Sequence, residues 1–154
     1  MIGMSSGRLA NDAWEALFRA QVALMRRFAS DDVWTEVTQV EYDVLYTLSK
    51  VSEGMSMVQL NHDILMTQSG VSKLVGRLES RGLITREVDS RDRRATRITL
   101  TAGGRAMQRH VGGRHAATVT AAMTNALDAA ELARVRDLCA KITDATDFAP
   151  ENLA

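Results

Sequence analysis

The sequence predicts a mainly α fold with one small β-hairpin. Three observations carry this. Apolar residues recur at spacings of three and four through most of the chain, the helical period. The period changes to two only over two short neighbouring segments, 83–88 and 96–100. A single Pro in 154 residues leaves long stretches without a helix breaker.

The elements follow in order. From Asn11 to Phe28, the residues Trp14, Leu17, Phe18, Val22, Met25 and Phe28 form one broad aromatic stripe. Such a stripe needs a partner surface, in the chain or on another subunit. Thr38-Gln39-Val40-Glu41 has the form of a capping box, with Val37 and Tyr42 at the positions of a hydrophobic staple. Val40, Val44, Leu45 and Leu48 give that helix its buried face, and Ser52-Glu53-Gly54 ends it. A second capping box, Ser56-Met57-Val58-Gln59, opens a short helix to about Ile64. Thr67 is the expected N-cap of the next helix, Gln68 to Arg81, with Gly82 as the residue that stops it. Its apolar Val71, Leu74, Val75 and Leu78 face one way. Ser69, Ser72, Lys73 and Gly76 face the other, with Arg77 beside them. Two strands follow, Leu83–Val88 and Thr96–Leu100, joined by Asp89 to Ala95. Thr101 is placed to cap an Ala-rich helix to about Leu127, in which Gly103-Gly104 and Gly112-Gly113 suggest a bend. Asp128-Ala129-Ala130-Glu131 starts the last helix, with Leu132, Val135, Leu138, Cys139 and Ile142 as its stripe.

Composition excludes several classes. The chain is 45% hydrophobic and 25% charged, ordinary for a globular domain. A single Cys forbids an internal disulfide framework and a CxxC metal site. Charges interrupt every apolar run before it could span a membrane, and no secretory signal pattern opens the chain. The formal net charge is zero but unevenly spread. Residues 73–105 hold nine Lys/Arg against four Asp/Glu, net +5, whereas residues 1–72 hold five against nine, net −4. A basic centre between acidic ends points to a local polyanion site.

That basic centre coincides with the order short helix, turn, helix, hairpin, which is a winged helix-turn-helix. The second helix has one apolar face to dock it and one small, polar face that can approach base edges. Arg or Lys can donate to guanine in the major groove and Gln can pair with adenine. The candidate contacts on this helix are Gln68, Ser69, Gly70, Ser72, Lys73 and Arg77. The helix N-terminus attracts phosphate. Arg91, Arg93 and Arg94, between the strands, suit a narrow and electronegative minor groove.

These residues resemble the MarR-type winged-helix regulators. Asp89-Ser90-Arg91-Asp92-Arg93-Arg94 matches the family's D-x-R-D-x-R wing signature. Val71 through Ile84 looks like the family's recognition helix and its exit into the wing. The resemblance covers about residues 10–147. It implies one MarR-like domain over 1–154, with the winged helix-turn-helix at about 38–101. The segments 9–30 and 102–147 would be dimerisation helices. It implies wing contacts by Arg91 and Arg94, and bracing of the wing by Asp92 through Arg97. Expected partners are a homodimer mate and double-stranded DNA bearing a pseudo-palindromic operator. Repression of transcription is the usual outcome, under control of a small-molecule effector, in the cytoplasm and without a membrane, cofactor or metal.

Trp14, Phe18, Trp34 and Tyr42 are the candidate effector pocket, although aromatic residues at helical spacing are more often core. Cys139 reads as a buried, inert thiol. His62, His110 and His115 lack metal-ligand spacing and are expected at the surface. No nucleophile–base pair or phosphate-cradling loop suggests an enzyme. The competing non-enzymatic reading is a winged-helix protein-interaction module without sequence-specific DNA binding.

Overall fold

The computed structural model describes residues 3–64, 70–88 and 96–147. Its elements are α1 (Gly3–Ala29), α2 (Gln39–Ser49), α3 (Met57–Asp63), α4 (Val71–Ser80), β1 (Ile84–Val88), β2 (Thr96–Leu100), α5 (Ala102–Thr124) and α6 (Ala129–Asp147). The chain divides into two compact units, one up to Ala116 and one from Ala117. Thr67, Gln68, Ser69 and the segment 89–95 lie outside the described residues.

The first unit is built on caps that the sequence specifies. Thr38 accepts from the Glu41 N–H at 3.2 Å, and Glu41 accepts from the Thr38 N–H at 2.9 Å. Ser56 and Gln59 repeat the exchange at 3.2 and 2.9 Å, opening α3. Each pair satisfies two amides that a helix start would leave without partners. Helix α4 begins later than expected. Its N-cap is Gly70, at φ 101°, and no side chain caps it. A residue without Cβ takes that left-handed conformation at little cost, so the glycine sets the boundary in place of Thr67.

Helix α4 ends in a Schellman motif. Gly82 adopts φ 69° and donates to the Glu79 carbonyl at 2.8 Å, while Leu83 donates to the Leu78 carbonyl at 3.0 Å. With its N–H so engaged, Leu83 belongs to the cap, and β1 starts one residue later than the period-two pattern suggests. The strands pair antiparallel from Ile84↔Leu100 to Val88↔Thr96. Met55 adds a bridge to Ile98, with mutual backbone bonds of 3.1 and 2.9 Å. Gly54 permits this approach: at φ 72°, a Cβ there would sit 2.5 Å from the Ile98 carbonyl oxygen.

Val44, Leu45 and Leu48 of α2, Leu60 of α3, Val75 and Leu78 of α4, Ile84, Ile98 and Val111 form one buried cluster. The hairpin therefore closes over the helices with the inward residues of each strand. Helix α5 runs unbroken through both glycine pairs, and it ends at Thr124, three residues before Leu127. Two of those glycines serve packing. A Cβ on Gly104 would run into the Leu83 carbonyl oxygen, and one on Gly112 would lie 2.7 Å from the Tyr42 hydroxyl.

Helix α1 begins eight residues before Asn11, where the apolar stripe starts. Nothing in the segment 3–10 breaks a helix, and Arg8 and Asp12 pair across one turn at 3.9 Å. Its stripe is open: Leu9, Trp14, Leu17 and Phe18 are all exposed. In the second unit, Asp128 and Glu131 form the expected box, with bonds of 2.9 and 3.0 Å. The stripe of α6 is exposed at Val135, Leu138 and Ile142, and Cys139 is half-buried.

Candidate nucleic-acid interface

Helix α4 is sharply two-sided. Val71, Leu74, Val75 and Leu78 are buried against the core, and this burial fixes which way the other face looks. Ser72, Lys73 and Arg77 are exposed, and Gly76 is half-buried beside Arg86. Gly70 has no side chain with which to cap the first turn. An exposed serine and lysine on one docked helix can donate to phosphates and base edges.

The cations around this helix are held to different degrees. Arg81 donates to the Glu36 carbonyl at 2.6 Å and meets the Glu41 carboxylate at 3.4 Å. Arg86 of β1 pairs with Glu79 at 3.0 Å. Arg97 of β2 donates to the carbonyls of Glu53 and Gly54 at 3.2 and 2.8 Å, tying the hairpin to the α2–α3 turn. Arg77 reaches Glu41 only at 3.9 Å and is 66% exposed. Gln68, Ser69, Arg91, Asp92, Arg93 and Arg94 lie outside the described residues. Of the nine expected DNA contacts, the structure therefore brings together Gly70, Ser72, Lys73 and Arg77.

The four aromatic residues proposed for an effector pocket fall into two pairs. Trp14 and Phe18 stack with ring centroids 5.8 Å apart on the open face of α1. Trp34 and Tyr42 lie 5.7 Å apart, and His115 of α5 stands 5.0 Å from Trp34 and 5.8 Å from Tyr42. Phe28 completes this group, edge-on to His115 at 5.2 Å, and its carbonyl accepts the Trp34 indole N–H at 2.6 Å. His115 is thus not a surface histidine. Burial lowers its pKa below the ordinary imidazole value, opposed by the charge of Asp31. Its Nδ1 is buried with no hydrogen-bond partner among the described residues. The missed signal was Val111, one turn earlier and fully buried, which places His115 on the inward face. Burial likewise raises the Tyr42 phenol, while a bond with Gln108 pulls it back.

Among the described residues, no cluster of His, Cys, Asp or Glu could hold a metal ion. No described helix is long and apolar enough to cross a membrane.

A docked polar helix preceded by a short helix and followed by a hairpin defines a winged helix-turn-helix protein. Residues 35–95 match the MarR family. Solved structures agree with that match. AbsC, a MarR family transcriptional regulator from Streptomyces coelicolor, superposes with a TM-score of 0.75 at 24% identity, over 90% of this chain and 95% of that one. The PcaV transcriptional regulator of the same organism, in complex with its natural ligand, gives 0.63 at 27% identity, over 87% and 91%. BpsR of Bordetella bronchiseptica, whose DNA binding is regulated by 6-hydroxynicotinic acid, gives 0.66 at 24% identity, over 87% and 98%. No curated protein sequence matches significantly. The segment 35–95 thus resembles the MarR family, and the chain has the fold of MarR-family transcriptional regulators.

Proposed function

We propose that the chain binds duplex DNA sequence-specifically as a homodimer and represses transcription until a small-molecule effector releases it. The observation that carries this is the exposed Ser72–Lys73 face of α4, held outward by four buried apolar residues within a segment of net +5. The open stripes of α1 and α6 support assembly through the terminal helices. Trp34, Tyr42 and His115 are the part of the aromatic set that supports an effector site, as PcaV and BpsR have ligands of their own. Such a regulator acts in the cytoplasm, where its DNA is.

A dimer of this kind takes a pseudo-palindrome with half-site centres about 10 bp apart. The test selects a duplex from a random library, then measures anisotropy on it and on a scrambled duplex at two salt concentrations. Lys73→Ala should cost roughly 1–3 kcal/mol on the selected duplex and change which sequence is preferred. Arg94→Ala should weaken both duplexes and reduce the salt slope by about 1. Binding that ignores salt, or no binding to any duplex, would leave a protein-interaction module as the better reading.

A further inference from the structure

Glu41 is 7% exposed, yet its carboxylate does more than cap α2. It accepts from the Thr38 amide at 2.9 Å and the Thr38 hydroxyl at 3.2 Å. It also faces two guanidiniums, that of Arg81, the C-cap of α4, at 3.4 Å and that of Arg77 within α4 at 3.9 Å. One carboxylate cannot neutralise two guanidiniums. Arg81 is the firmly held one, since the Glu36 carbonyl takes a second of its N–H groups at 2.6 Å. Arg77 lies beyond hydrogen-bond range and two-thirds in solvent. At that distance, and with the guanidinium in solvent, its attraction to Glu41 is screened enough for a phosphate to outcompete.

We infer that Glu41 is a positioning residue for DNA recognition: it keeps Arg77 folded back toward α2, and Arg77 exchanges this carboxylate for a DNA phosphate on binding. The inference rests on the DNA-binding reading above and adds a determinant of discrimination to it. A guanidinium restrained in this way engages phosphate only where the rest of α4 is seated, so it contributes less on a wrong sequence. Freed, it would contribute on any duplex.

The test is Glu41→Gln. An amide oxygen still accepts the Thr38 N–H, so the cap persists while the charge is lost. Thermal melting should fall modestly, because the Arg81 contact loses its charge while the cap and the core persist. Affinity for a scrambled duplex should rise roughly two- to fivefold. The salt slope on it should steepen by up to about 0.9. Affinity for the selected duplex should rise less, so discrimination narrows. In an Arg77→Gln background, Glu41→Gln should change nothing, which a merely structural role for Glu41 would not produce. Arg77→Gln alone, at an exposed position that folding does not depend on, should flatten the slope by about 0.9. An unchanged slope in Arg77→Gln would overturn the inference. So would equal weakening of both duplexes by Glu41→Gln, or an effect that survives the loss of Arg77. Wild-type protein that binds no duplex overturns the DNA reading and this inference together; wild-type binding with unaltered variants overturns the inference alone.

Discussion

Leu45 and Leu78 are fully buried within the first unit, whereas Trp14 is 64% and Leu138 61% exposed, although all four sit on regular helical stripes. The winged segment closes its own core: α2, α3, α4 and the hairpin each bury a face in it. Helices α1 and α6 each leave a face in water. Periodicity alone does not separate these cases, because it reports that a face is apolar and not what will cover it. The difference divides the molecule into a part that one chain completes and parts that call for another surface.

The comparison can be broken most sharply in the core. Leu45→Ala should destabilise the fold by roughly 2–5 kcal/mol, because a fully buried side chain leaves a cavity. Urea denaturation would read it, and a loss below about 1 kcal/mol would mean that the winged core is not the stable part. The terminal stripes should respond differently. The wild type should sediment as a dimer at micromolar concentration. Replacing Trp14 and Leu138 with Ser should shift it toward monomer by about 2 kcal/mol or more per anchoring residue. A monomeric wild type would dispose of the paired-subunit reading.

The smallest effect concerns His115. Its folded pKa is lowered by burial, so the unfolded chain takes up the proton first. Stability is then full above the unfolded value, near pH 6.5, and is lost as pH falls from there toward the lower folded value. His115→Phe keeps a ring among Phe28, Trp34 and Tyr42 and removes the titration. Its melting midpoint should fall less than that of the wild type between pH 7 and pH 5. Parallel falls would assign the acid sensitivity to other groups.

Most of the fold was legible because its boundaries are written in local chemistry. Thr38–Glu41, Ser56–Gln59 and Asp128–Glu131 are contiguous signals, and all three are formed. What escaped depends on partners far along the chain. The Met55–Ile98 bridge joins residues with no shared pattern. Gly104 and Gly112 read as weak helix formers because the carbonyl of Leu83 and the hydroxyl of Tyr42 are invisible from their neighbours. The face of α4 was readable from its period, but its start at Gly70 was not. Thr67 is the better cap by side chain, and a positive φ decides otherwise. The link from Glu41 to Arg77 and Arg81 spans about forty residues and could be found only in three dimensions.

The Thr101 hydroxyl donates to the Gly82 carbonyl at 2.6 Å and accepts from the Gly104 N–H at 3.0 Å. It thereby clasps the exit of α4 to the entry of α5, and the Thr101 N–H adds a bond to the Leu83 carbonyl at 3.1 Å. The foot of the hairpin is closed by these bonds whatever joins its strands. Once the ends are pinned, doubling the length of a flexible connection costs only about 0.6 kcal/mol in closure entropy. An insertion between Val88 and Thr96 should therefore cost little stability, because the foot of the hairpin is held independently of that segment.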